Sequence, residues 1–236
     1  NFDGKKLSDL ILEIAQIKNL KRIRYTTSHP IDFTEDLIQA HKDCNKLMPL
    51  IHLPVQSGSN KILKNMNRKH SINEYLEIIK KLKKIKPNVE LSSDFIIGYP
   101  GETQDDFEKT LTLMRQVKFI NSYSFIYSAR PGTPAFHLKK IDNNIAKERL
   151  ILFQKTSNEI KTEYRKTLLM KIKPILFENK TKDDKYFGRD EHFNSVIVKS
   201  NENLIGKIKN IKINKINQNT LFGAVSSKLT HEEFAA

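Results

Sequence analysis

Apolar positions follow two different rhythms along this chain, and the change falls near residue 170. Leu7, Leu10, Ile11, Ile14 and Ile17 recur at helical spacing, which predicts a helix over 6–18. RIRYT (22–26) reads as a short strand, and Pro30 stops regular structure after it. Thr34 is placed to cap a helix running to about Asp43. LIHLPV (50–55) is a buried-type strand that runs into the turn-rich QSGSN. Helical patterns follow at 59–66 and 71–86, and Pro87 ends the second. VELSSDFIIG (89–98) is a further strand. A helix over 103–118 then opens with Thr103 as N-cap and Asp105 and Asp106 in its first turn. NSYSFIYS (121–128) is the next strand, and a long helix fits 144–170.

This is strand–helix alternation in four successive units, which predicts parallel strands joined by right-handed crossovers. Ligand sites in such sheets lie at the C-terminal strand ends. Those ends read TTSHP, PVQSGS, IIGYPGET and SARPGTP, all rich in Gly, Pro, Ser, Thr and single polar groups. One such loop is ordinary, whereas four in phase point to one built site. Beyond Lys171 the pattern becomes short and alternating: PILFE (174–178), YFGRD (186–190), NSVIVKS (194–200), LIGKIKNIKI (204–213) and TLFGAVSS (220–227). Five short strands with no room for helices predict a small antiparallel β-barrel. Domains are therefore expected at 1–170 and 171–230, with a frayed tail over 228–236.

Composition narrows the picture. The 236 residues are 38% hydrophobic and 29% charged, a globular balance, and no window of about 18 apolar residues suggests a membrane helix. The formal charge is +14 and the pI about 9.6, which suits a polyanionic partner, although a solvated Lys-rich surface gives the same surplus. Residues 61–86 carry nine Lys or Arg against two Glu. The single cysteine, Cys44, excludes an internal disulfide or a multi-cysteine metal site within this sequence and reads as an inert helix residue. A cytoplasmic, monomeric protein is expected. Residue 1 is Asn and a helical pattern begins almost at once, which reads as a fragment.

Particular residues stand out. Gln56, Ser57 and Ser59 flank Gly58 after a strand, where small polar groups let a ligand approach the backbone; an ordinary turn with Ser59 as N-cap is the simpler reading. Asp94 interrupts an apolar strand and needs a partner or ligand. Gly98 and Gly101 leave room at a strand end, and Glu102 is either functional or a first-turn acid. Arg130 carries a planar fork suited to a carboxylate or a phosphate. His52 reads as a satisfied core residue, while His29 at a strand end is open to a role. Arg68 and Lys69, with Lys61 and Lys64, are candidates for phosphate contacts. Lys182, Arg189, Lys207, Lys209 and Lys212 alternate with apolar positions and are expected on the outer face of the small barrel; Phe187 and Phe222 either stack on bases or fill its core, and core is the preferred reading.

HLPVQSGS (52–59), SSDFIIGYPGET (92–103) and YSARPGTPA (127–135) resemble, in order and spacing, the radical-SAM methylthiotransferase family. RIRYTTSHPIDF (22–33) is similar to its tRNA-directed branch, the tRNA-2-methylthio-N6-dimethylallyladenosine synthases. The resemblance implies an α/β fold with part of a TIM-like radical-SAM barrel, followed by a small RNA-binding β-barrel, the TRAM domain, over 171–227. It also implies S-adenosylmethionine (SAM) and two 4Fe–4S clusters as cofactors. In such enzymes a reduced cluster converts SAM to a 5′-deoxyadenosyl radical that attacks the adenine carbon between the two ring nitrogens. A methylthio group is then installed beside the anticodon, and a second cluster serves sulfur delivery. The implied partners are a tRNA anticodon stem-loop and an electron donor. By the same resemblance Gln56, Ser57, Ser59, Asp94, Gly98, Glu102 and Arg130 fall in the SAM pocket. The family's CxxxCxxC motif has no counterpart here, so the chain is expected to hold part of the cofactor pocket and no cluster. The alternatives are a non-catalytic RNA-binding protein and a methylthiotransferase acting on another substrate.

Overall fold

The computed structural model describes residues 4–26 and 29–226. The expectations for Thr27, Ser28, Ser227 and the tail 228–236 lie outside the described residues. The chain divides into two compact units, 1–161 and 162–236.

The first unit is a three-stranded parallel sheet, β1 (Leu50–His52), β2 (Glu90–Ile97) and β3 (Asn121–Ile126), in that spatial order. Helices α1 (Leu7–Ala15), α2 (Glu35–Asp43), α3 (Asn60–Asn65), α4 (Ile72–Ile85), α5 (Gln104–Val117) and α6 (Asn143–Lys166) accompany it. Leu91, Phe95 and Ile97 of β2 point to the helix-covered side and are buried, with Phe95 packed against Phe119 and Phe153. The other side carries Asp94 and Ile96, half-buried, beside the exposed Tyr123 and Phe125 of β3.

Two predicted strands are shorter than the sequence suggests. RIRYT contributes a single parallel bridge, Ile23 to Leu47. Ile23 is the one residue of that stretch that becomes buried, and a strand within a parallel sheet needs a nearly continuous apolar run. LIHLPV stops pairing regularly at His52 because Pro54 has no N–H to give. The Ser93 hydroxyl fills the gap: it donates to the Leu53 carbonyl at 2.8 Å and accepts from the Val55 N–H at 2.9 Å. Thr103 does cap α5, in a reciprocal box with Asp106.

The second unit is a closed barrel of β4 (Ile172–Lys180), β5 (Tyr186–Arg189), β6 (Ser195–Val198), β7 (Ile208–Ile216) and β8 (Thr220–Val225), ordered β4-β5-β6-β8-β7. An odd number of strands cannot alternate direction all the way round, so a purely antiparallel closure is impossible. Here β6 and β8 are parallel and the other four pairings antiparallel. Residues 204–207, expected to open the fourth strand, form a turn with Gly206 at φ +75°. The compact unit begins earlier than the strand pattern because Leu168 is buried in the barrel's core, with Tyr164 packed against it.

Candidate functional site

The strand-end loops of the first unit gather at one end of the sheet. Ile62, Tyr99 and Ala135 form a small apolar cluster joined by Met66 and Tyr127, so the loops after all three strands touch. Tyr99 and Tyr127 meet edge to face at 4.9 Å, and the Tyr99 hydroxyl donates to the Asn65 carbonyl at 2.8 Å. Gln56 sits at φ +73°, in the left-handed region that a Gln rarely adopts, yet its backbone bonds both Asp94 and Ile96 of β2.

Most polar groups of the QSGS loop are spent inside the protein. The Ser59 hydroxyl donates to the Asp106 carboxylate at 2.7 Å and caps α3. The Ser57 hydroxyl accepts from the Ser59 N–H, and the Gly58 N–H donates to the Thr110 hydroxyl at 2.9 Å. A Cβ on Gly58 would stand 2.5 Å from the Lys109 carbonyl oxygen, so this Gly serves close packing on α5. Asp106 also accepts from the Thr103 N–H and hydroxyl and from Lys61 Nζ, and these bonds outweigh its burial and hold its carboxyl well below the usual range. Lys61 is therefore tied to Asp106 and to the Gly101 carbonyl. Sequence reasoning took Asp106 only as a first-turn acid and did not single out Thr110.

Glu102 is likewise occupied. One oxygen accepts from the Gly98 N–H at 3.0 Å and the other from Arg149 at 2.8 Å, both partners being buried. Burial pushes its carboxyl up and Arg149 opposes the rise. Gly98, at φ +74°, has the Ala146 Cβ against it: an added Cβ would lie 3.0 Å away. Arg149 was not read from the sequence; it lies 47 residues beyond Glu102 with no local signal.

Asp94 remains available on the open side of the sheet, its side chain 32% exposed. His52 Nε2 lies 3.3 Å from its carboxylate and His52 Nδ1 lies 3.0 Å from the Ser92 hydroxyl. His52 is thus satisfied, but by these polar neighbours on a half-open face and not within the apolar core. Arg68 is half-buried and its charge is felt by Asp94; burial lowers the guanidinium's pKa and Asp94 opposes this. His29 and His70 meet edge to face at 5.1 Å. Burial, then Arg68, lowers the His29 pKa. Asp94, His52, Ser92 and Arg68 form the polar group of this face, flanked by the exposed Lys69. Lys64 and Arg130 are exposed. Cys44 lies in the apolar core at 4% exposure. Among the described residues no group of three or more His, Cys, Asp or Glu side chains is placed to hold a metal ion.

On the barrel, Phe187 and Phe222 are half-buried on the outer wall and are not core residues. The register places Phe187 beside Ile197, Ile197 beside Phe222, and Phe222 beside Lys215. The alternation is decisive, since Tyr186 and Gly188 are the residues of β5 that point inward. Arg189 shares that wall, with Phe187 at 5.1 Å and Phe193 at 3.9 Å from its guanidinium carbon. Lys182 is exposed in the turn before β5, and Lys212 is exposed on β7. Lys207 precedes β7, and Lys209 pairs with the fully buried Ile175, so Lys209 points to the barrel's inner side near its rim, not to the outer wall.

Residues 1–114 match the model of the Radical SAM superfamily, and residues 166–225 match the TRAM domain. The tRNA-2-methylthio-N(6)-dimethylallyladenosine synthase of Pelagibacter ubique (strain HTCC1062) is 54% identical over 229 residues, 95% of this chain and 51% of that protein. The enzyme of the same name from Rickettsia felis (strain ATCC VR-1525 / URRWXCal2) is 48% identical, covering 93% of this chain and 50% of its own length. That of Wolbachia sp. subsp. Brugia malayi (strain TRS) is 47% identical over 92% of this chain and 50% of its length. The chain spans about half the length of the curated relatives it matches. Among solved structures, coproporphyrinogen III oxidase (HemN) from Escherichia coli superposes with a TM-score of 0.49 at 14% identity, over 86% of this chain and 50% of that one. With the two models in this order and such identity along nearly its whole length, the chain belongs to the radical SAM methylthiotransferase family.

Proposed function

We propose that this chain is the part of a tRNA methylthiotransferase that completes the SAM pocket and grips the RNA. The whole protein places a methylthio group on a dimethylallylated adenosine beside the anticodon. The observation that carries the reading is the 54% identity to a relative of that name over 95% of this chain. The geometry supports it: polar and Gly-containing loops converge at the C-terminal ends of parallel strands, where this class of sheet binds ligands.

Within that pocket Asp94, a partly exposed carboxylate beside His52, is the side chain that takes a ligand's hydroxyl or amino groups, with His52 and Ser92 holding the surrounding face. Gln56, Ser57, Ser59, Gly98 and Glu102 act one step back. Their side chains and turns fix the loops, and the backbone they shape is what SAM meets. Arg130 is reserved for a carboxylate or phosphate. When bound, SAM with a reduced cluster supplies the radical chemistry. The residues of this chain do not fit a cluster, because its one thiol is buried in the core.

On the RNA side, Lys182, Lys207, Lys69 and Arg68 supply positive charge toward a tRNA anticodon stem-loop. A monomer in the cytoplasm, fed by an electron donor, completes the reading. Among the described residues no helix is long and apolar enough to cross a membrane. The test is nucleoside analysis of bulk tRNA from cells in which the gene is disrupted. The 2-methylthio nucleoside disappears and N6-dimethylallyladenosine accumulates; an unchanged methylthio level refutes the proposal.

A further inference from the structure

The turn between β5 and β6 carries an aromatic residue where the backbone disfavours one. Asp190 to Asn194 close a tight connection: the Asp190 N–H donates to the Asn194 carbonyl, the Phe193 N–H donates to the Asp190 carbonyl, and the buried Asp190 carboxylate accepts from the Asn194 backbone and side-chain amides at 2.8 Å each. Phe193 itself sits at φ +65°. Hairpins of this length ordinarily put Gly or Asn at the left-handed position, because a bulky side chain there is strained. The consequence is a ring held outward, 45% exposed, directly over the Arg189 guanidinium at 3.9 Å. Strain of this kind persists where surrounding structure enforces it, and it marks candidate ligand contacts.

Charge decides what the ring is for. Arg189 is paired with Glu178 at 3.6 Å, and the neighbouring Glu191 is paired with Lys173. Among the described residues, both cations at this turn are therefore already engaged by carboxylates. Arg189 works as the backing of an aromatic plate, with Phe187 at 5.1 Å and the Ile197–Phe222 row continuing along the wall. We propose that Phe193, supported by Arg189, is a stacking platform for an unpaired RNA base. The inference rests on the RNA reading of the barrel above and goes beyond it. It assigns this end of the wall to base stacking in single-stranded RNA, and it leaves backbone contacts to lysines such as Lys182. The +14 charge of the chain makes a nucleic acid the occupant of choice.

The experiment is fluorescence anisotropy of the full chain with a fluorescein-labelled single-stranded A12 RNA, and with the same strand annealed to U12, across a salt series. Phe193→Ala and Phe193→Gly are each expected to weaken single-strand binding by roughly 5- to 100-fold, the range for loss of one stacked base. They leave duplex binding and the slope of log K against log salt unchanged. Phe193→Gly melts no lower than the parent chain, since Gly relieves the backbone. Lys182→Ala instead lowers the salt slope by about one unit. If both Phe193 variants bind the single strand like the parent, or weaken duplex binding equally, the stacking platform is refuted while the barrel's RNA role stands. If the parent chain binds neither RNA, the RNA reading of the barrel fails first.

Discussion

At the scale of single residues, Asp106 and the Glu102–Arg149 pair stabilise the strand-end loops, and both make measurable claims. Asp106 accepts bonds from Ser59, Thr103 and Lys61, which gives it a folded-state pKa below its unfolded value. A depressed carboxyl contributes stability that is complete above the unfolded pKa and is lost as pH falls through the folded one. Asp106→Asn should therefore cost about 2 kcal/mol at pH 7 in urea unfolding, the scale of charge-assisted hydrogen bonds lost in a buried site. The gap from the parent should narrow progressively below about pH 4, in the range of ordinary carboxylate titration; a gap that stays constant to pH 2 contradicts the assignment. Arg149→Met leaves a buried carboxylate uncompensated and is expected to cost about 3 to 5 kcal/mol, whereas adding Glu102→Gln recovers much of that loss. An unaltered melting curve for the single variant would free Glu102 for a ligand role after all.

These residues also show what a sequence can disclose. Thr103 as a cap was legible because a capping box is local, its two partners three positions apart. Asp94 was legible because a carboxylate in an apolar strand is an anomaly by itself. Arg149, Thr110 and Phe193 were not. Each acts through a distant contact or a backbone angle, and neither leaves a mark on composition or periodicity. Ser57, Ser59 and Glu102 were noticed for the right reason, polarity at a strand end, but polarity alone does not say whether a hydroxyl faces inward or toward a ligand.

Among the elements, the strand–helix alternation foretold the parallel sheet, and the shift to short alternating runs foretold the barrel. The departures have a common cause. RIRYT has the alternation of a half-exposed strand but makes a single β-bridge, Ile23 to Leu47, among the described residues, and LIHLPV is interrupted by its own proline. The parallel β6–β8 pairing was not expected, although closure with five strands demands one such pairing. Packing of the QSGS loop on α5 is the element-level contact that matters most for the site. Gly58→Ala drives a Cβ into the α5 backbone at 2.5 Å from both Lys109 O and Thr110 Cα. It is expected to cost about 2 to 3 kcal/mol, the upper range for overpacking, because backbone must shift. Thermal unfolding checks this, and a melting temperature equal to the parent's contradicts the close-packing role.

For the molecule as a whole, the two units carry different equipment. One is a sheet whose C-terminal strand ends collect loops, and the other is a barrel whose outer wall carries aromatic and basic side chains. The charge of the chain fits the second, and the family to which it belongs unites the two. We propose that the open face around Asp94 belongs to the methylthiolation site of the whole protein. The most direct test is nucleoside analysis of tRNA from cells whose only copy of the intact gene carries Asp94→Ala, with protein level matched to the parent. N6-dimethylallyladenosine is expected to accumulate and its 2-methylthio form to fall at least tenfold, a loss of about 1.4 kcal/mol or more in effective binding or turnover. Full methylthiolation with Asp94→Ala would contradict this proposal and move the site away from this face.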